Sequence, residues 1–311
     1  MIISASRRTD IPAFYADWLL TRIREGYVFV RNPMQPRKIS RVSLSPDVVD
    51  GLVLWTKNPL PMLGRLRELQ DYMYYFQFTL NPYGPEVEPR VPSKQHTLIP
   101  AFQRLAEMLG PDRVIWRHDP IFLSETYSEA YHLHYFEVLA RRLAPYTRRC
   151  TISFIDYYRG TEKAMRGVAA KPLTPPALLR LARGLADIAR AYGLSLDTCA
   201  EEADLSAFGI GHARCVDGAL LSRLLGTELR VSKDKNQRPA CGCAESIDIG
   251  AYHSCPHGCL YCYAGGHGPA AKKNHARHNP ASPLLIGEVG PEDQVTERAM
   301  ESFKVTQLSL S

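Results

Sequence analysis

The chain has 311 residues, 45% hydrophobic and 23% charged, and a formal net charge of +6. That length suits one large domain, and that composition excludes a disordered or fibrous chain. The charge admits an anionic substrate or nucleic acid but falls short of a dedicated basic domain, and no apolar run is long enough to cross a membrane.

From the N-terminus, short apolar runs alternate with amphipathic stretches. The opening run, 1–6, turns basic at Arg7-Arg8 too early for a secretory h-region, so a cytoplasmic protein is expected. A helical pattern over 15–25 follows, with Gly26 placed as its C-cap. Residues 28–31 and 39–44 read as an inserted hairpin. Further apolar runs cover 51–55, 73–80, 113–116, 150–155 and 194–199. Helical patterns at 60–72, 98–109, 128–144 and 176–192 separate them, with Gly110 and Gly193 at expected C-caps. Such alternation predicts a parallel sheet with helical crossovers. Six units before residue 200 predict an α/β fold, a partial or complete parallel β/α (TIM-like) barrel.

Each predicted strand ends in a polar cluster: Ser6-Arg7-Arg8-Thr9-Asp10, Trp55-Thr56-Lys57-Asn58-Pro59, Thr79-Leu80-Asn81-Pro82-Tyr83, Trp116-Arg117-His118-Asp119-Pro120, Ile155-Asp156-Tyr157-Tyr158 and Thr198-Cys199-Ala200-Glu201-Glu202. One such cluster is an ordinary turn. Six together predict a shared site at the C-terminal rim, where parallel barrels place their chemistry. Arg7, Arg8, Lys57 and Arg117 are candidates for anion binding, because arginine pairs bidentately with carboxylates. Asp119 and Glu201 are candidates for hydroxyls or an amine. His118 is a candidate acid–base or rim hydrogen-bonding group. Tyr83, Tyr157 and Tyr158 are candidates for stacking, with packing as the commoner role of single aromatics.

After residue 200 the pattern changes. Residues 203–225 read as helical or irregular, 232–238 as a charged loop, and 241–262 as a cysteine-rich tract. The tail from Glu292 reads as one short helix that frays. The expected divisions are 1–240, a barrel; 241–290, a cluster-binding segment packed on its rim; and 291–311, a tail.

The eight cysteines suit a reducing compartment, where thiols bind metal rather than pair. Cys255, Cys259 and Cys262 form a C-x-x-x-C-x-x-C array that would place three thiolates around one [4Fe–4S] cluster and leave one iron without a cysteine. Two other metal sites fit the tract: zinc completed by His253 or His257, and a four-cysteine cluster with a distant thiolate. Cys199, Cys215, Cys241 and Cys243 form a second possible set, enough for another iron–sulfur cluster with residues 200–240 folded over the barrel mouth. Cys150, within an apolar run, reads as core.

The array with Tyr261 before its last cysteine resembles the radical S-adenosylmethionine (SAM) superfamily. Its wording, Cys-Pro-His-Gly-Cys-Leu-Tyr-Cys-Tyr-Ala, resembles the spore photoproduct lyase-like branch. The opening Ile3-Ser4-Ala5-Ser6-Arg7-Arg8-Thr9-Asp10-Ile11-Pro12, the segments at 55–59 and 116–121, and Asp234-Lys235-Asn236-Gln237-Arg238-Pro239-Ala240-Cys241-Gly242-Cys243 together resemble a bacterial domain family of unknown function with such a cluster near its C-terminus. This resemblance covers roughly residues 1–290. It implies a cluster, SAM and an electron donor such as flavodoxin or ferredoxin. It also implies radical chemistry on an unknown small molecule or peptide; the alternatives are nucleic-acid modification or repair with the same cofactor, and a non-catalytic zinc or electron-transfer protein. Superfamily members usually carry the motif after the first barrel strand. Here it begins at position 255, which a closed barrel would accommodate because its last loop neighbours its first strand.

Overall fold

Eight parallel strands make the main sheet of the computed structural model, which describes residues 1–157 and 159–305. The strands of the chain are β1 (Ile2–Ala5), β2 (Tyr27–Arg31), β3 (Lys38–Ser43), β4 (Gly51–Thr56), β5 (Tyr74–Thr79), β6 (Val114–Ile121), β7 (Arg149–Phe154), β8 (Ser195–Thr198), β9 (Gly211–His212), β10 (Ile247–Asp248) and β11 (Gln294–Glu297). The main sheet runs β10-β1-β4-β5-β6-β7-β8-β9. The inserted hairpin pairs β2 with β3 in antiparallel fashion and forms a separate sheet with β11.

A closed barrel is not formed. β9 and β10 are the outer strands and do not pair with each other. Each is two residues long and offers few ladder groups, and the chain between them turns onto one face of the sheet instead.

The longer helices are α1 (Ala16–Glu25), α2 (Ile99–Leu109), α3 (Glu129–Leu143), α4 (Pro175–Ala191), α5 (Gly218–Leu225) and α6 (Pro269–Ala276). Strand side chains alternate between two faces. Ile3, Leu52, Leu54, Phe76, Phe78, Val114 and Trp116 join Trp18, Phe102, Leu105, Phe136 and Leu185 in the larger core, with α1 to α4. Trp116 stacks on Phe136 with centroids 4.8 Å apart. Each such fully buried side chain contributes about 1.5–3 kcal/mol. The alternate residues Ile2, Val53, Tyr75 and Ile115 face the second side, where Val216, Leu220 and Leu221 pack on them.

Three local expectations give way to tertiary pairing. The pattern over 60–72 breaks at Gly64 into a helix at Leu60–Leu63 and a 3-10 turn at Leu66–Leu69, as the low helix propensity of glycine allows. β6 runs past Trp116 to Ile121, with a register shift between His118 and Ile121. The tail is a strand rather than a helix, because Gln294–Glu297 adds to β3 with Val295 opposite Ile39, and its Val-Thr pair favours extended backbone. Residues 306–311 of the expected tail lie outside the described residues, as does Tyr158.

Candidate functional site

Because the strands of the main sheet are parallel, their following loops emerge at one edge. β10 lies beside β1 in parallel register, Ile3 opposite Ile247 and Ser4 opposite Asp248. The loop after Asp248 therefore meets the loop after Ala5, although some 240 residues separate them in sequence. At this edge lies a chamber of about 620 Å³, within the range of small-molecule sites. Arg7, Arg8, Lys57, Arg117, Asp119 and all three of Cys255, Cys259 and Cys262 line it.

The cysteine loop is clamped by the segment after β5. The Leu260 amide donates to Val87 O at 3.0 Å and the Arg90 amide to His257 O at 3.2 Å, and Arg90 Nε donates to Pro256 O. Gly258 has φ +76°, and a β-carbon there would fall 2.7 Å from Arg90 Nη2. Glycine adopts this left-handed backbone without steric cost. His257 lines the chamber but its Nε2 is engaged by Asp10 Oδ2 at 2.9 Å. His253 Nδ1 lies 3.4 Å from Gly265 O. The two histidines thus have partners other than the cysteines. Burial raises the pKa of the Cys255, Cys259 and Cys262 thiols, that of Cys259 to about 12 even with Lys57 opposing. As the side chains stand, no three His, Cys, Asp or Glu among the described residues are grouped to hold one metal ion.

Charged networks surround the loop. Buried Glu88 accepts from Lys57 Nζ at 2.8 Å and from the Tyr261 hydroxyl, and forms an ion pair with Lys94 Nζ at 2.8 Å. Burial would raise the Glu88 pKa, but the two lysines hold it to about 2. Burial would likewise lower that of Lys57, but Glu88 and Cys259 outweigh it and raise the pKa. The Lys57 amide donates to Asp10 Oδ2 at 2.7 Å. Arg117 pairs with Asp119, donates from Nη1 to Cys215 Sγ at 2.8 Å and lies over Trp55. Asp119 also accepts from Ser153 Oγ. Asp248 accepts from Ser4 Oγ, Ser6 Oγ and the Arg7 and Gly250 amides. The Arg8 guanidinium sits 5.0 Å from the Tyr252 ring centroid.

Cys199, Cys215, Cys241 and Cys243 also line the chamber. Cys215 Sγ lies 3.3 Å from Cys199 Sγ, and Cys241 and Cys243 join Cys215 in one buried cluster, with the Val216 amide 3.4 Å from Cys243 Sγ. The 200–240 segment that carries part of this set crosses the second face of the sheet, where α5 packs.

Other candidates lie apart. His118 is in the helix-side core beside Trp116 and Phe136, and burial first, then His132, lowers its pKa to about 3. It is therefore neutral and not a rim group. The reason is the length of β6: with the strand continuing past Trp116, alternation turns 116 and 118 to the helices and 117 to the chamber. Tyr83 is core, stacked on Phe122 at 4.7 Å. Tyr157 is exposed. Glu201 lines a separate, shallower pocket and accepts from the Phe154 amide at 2.8 Å, and burial raises its pKa to about 7. Cys150 is fully buried, as expected. Sequence reasoning passed over Glu88 and Asp248. Glu88 sits in a proline-rich loop without periodicity, whereas Ile247-Asp248-Ile249-Gly250 carried the signal of a short strand.

The site residues all fall within the span that aligns with a known family. No curated protein and no solved structure matches the chain. The chain belongs to the family described as a domain of unknown function (DUF1848), which it matches over residues 2–264.

Proposed function

We propose that this family member is a radical SAM enzyme in which Cys255, Cys259 and Cys262 hold a [4Fe–4S] cluster. SAM and a small-molecule or peptide substrate would share the chamber. The observation that carries this reading is that three thiols from one short loop line the same chamber as Lys57, Arg7 and Arg8. The donor set fits: no thiol–thiol hydrogen bond joins the three among the described residues, and three thiolates leave one iron open to an exogenous ligand. When bound, the reduced cluster supplies the electron that cleaves the SAM sulfonium.

The chain's own residues bind and orient. Lys57 has three donors, of which Glu88 takes one, so it retains donors for a carboxylate beside Cys259. Arg8 faces the same chamber as a second cation. Arg117 is committed to Asp119 and Cys215 and acts as a positioning residue. The Tyr261–Glu88 hydrogen bond fixes the loop between its last two cysteines. On this reading the sheet is an incomplete β/α barrel with its chemistry at the C-terminal rim. The protein would work in the reducing cytoplasm with a flavodoxin- or ferredoxin-type donor.

The test is anaerobic reconstitution of the wild type and of Cys255→Ala/Cys259→Ala/Cys262→Ala. The triple variant is expected to lose about four irons with their sulfide, one cubane's worth. SAM should change the EPR signal of the reduced wild type. Unchanged iron content in the variant, or a signal indifferent to SAM, overturns the reading. Salt-dependent binding of DNA or RNA would move the substrate to nucleic acid.

A further inference from the structure

Four other cysteines meet where the sheet fails to close. Cys199 follows β8, Cys215 follows β9, and Cys241 and Cys243 precede β10. We propose that these four thiols are the ligands of one zinc ion, a closed tetrathiolate site that ties β8 and β9 to β10 across the unpaired edge. This inference does not depend on the radical SAM reading.

Spacing selects the occupant. A Zn–S bond of about 2.3 Å in a tetrahedron separates the sulfurs by about 3.8 Å. The Cys199 and Cys215 sulfurs are 3.3 Å apart, and Cys243 and Cys241 adjoin Cys215 in the same buried cluster. A cubane interposes four irons and four sulfides and holds its thiolates further apart. The compact set therefore fits a single ion better than the second cluster that cysteine count alone suggests. At present the contacts run in a chain rather than around one point. One change of χ1 rotamer per side chain moves each sulfur without moving the backbone.

The surroundings suit a closed site. Cys215, Cys241 and Cys243 are 2%, 7% and 3% exposed, and Val216 and Leu220 pack with them. Four thiolates around Zn²⁺ leave two negative charges. Arg117, 3% exposed, donates to Cys215 Sγ at 2.8 Å, and the Val216 amide lies 3.4 Å from Cys243 Sγ as a further donor. Such outer donors orient thiolate ligands and offset their charge. Zinc binding would displace the thiol protons to solvent. Ordinary core packing accounts for one buried cysteine, but not for a chain of four neighbouring cysteines, three of them buried, with an arginine on one.

Metal analysis of full-length protein, expressed with zinc and iron, tests this. About one zinc per chain is expected in the wild type and in Cys255→Ala/Cys259→Ala/Cys262→Ala. Cys241→Ser/Cys243→Ser should lose that zinc and keep the iron of the other loop. If the double serine variant fails to fold by circular dichroism, chelator-treated wild type is titrated with Co²⁺. Saturation near one equivalent, with thiolate-to-cobalt charge transfer and tetrahedral d–d bands, supports the site. Zinc below about a tenth of an equivalent without a cobalt spectrum overturns it. So does iron with acid-labile sulfide persisting in the alanine triple variant, or a Cys199–Cys215 disulfide in the native protein. Wild-type protein that holds its zinc but takes up no cluster iron on anaerobic reconstitution would refute only the radical SAM reading.

Discussion

Replacing Glu88 by Gln removes one negative charge from a buried group that faces two lysines. Its carboxylate is 1% exposed and pairs with Lys57 and Lys94, each at 2.8 Å. Burial alone would raise its pKa; the lysines lower it from 4.5 to about 2. That difference corresponds to about 3 kcal/mol of stability at neutral pH, the low end of the ~3–5 kcal/mol for breaking a buried pair. For 311 residues, an unfolding entropy of ~2.1 cal/mol/K per residue makes this about 5 °C in Tm. A depressed carboxylate pKa stabilises above the ordinary value and is lost as pH falls through the folded value. The gap between Glu88→Gln and wild type should thus stay constant from pH 8 to about 5 and close towards pH 2. Calorimetry on anaerobically prepared protein of matched metal content reads it, with exposed Glu107→Gln on α2 as a control expected to stay within ~0.5 kcal/mol. A Glu88→Gln loss below about 1 kcal/mol, independent of pH, would place Glu88 among solvent-screened surface pairs and refute the argument.

Lys57→Met removes the cation beside Cys259, so the midpoint potential of the proposed cluster should move to more negative values; an EPR-monitored redox titration showing no change or a rise contradicts this. Leu221→Ala empties a fully buried position on α5 and should cost about 2–5 kcal/mol in chemical denaturation. A β-carbon on Gly51 would fall 2.6 Å from Leu221 Cδ2. Gly51→Ala should therefore destabilise the wild type yet be tolerated with Leu221→Ala, and additive losses would show that α5 does not press on β4.

Local signals reached the site only in part. Arg7, Lys57 and Arg117 were legible because each follows or ends an apolar run, and such ends share an edge when strands are parallel. His118 was misplaced because two polar neighbours concealed that β6 continues through them. Glu88 was silent: a carboxylate in a loop gains meaning only when Lys57 after β4, Lys94 and Tyr261 close around it. The tail sequence also allowed a helix, and the free edge of β3 decided for a strand.

The sequence by itself determined the alternation of strand and helix, the apolar faces and the spacing of Cys255, Cys259 and Cys262, because these depend on backbone periods and on residues within a few positions of one another. Only the tertiary structure decided that the sheet stays open between β9 and β10 and that α5 fills its second face. It alone seated β10 beside β1, bringing residue 255 to the loop that follows residue 5. Strand neighbours are chosen by burial and hydrogen bonding summed over the whole chain, and neither quantity is written in any one segment.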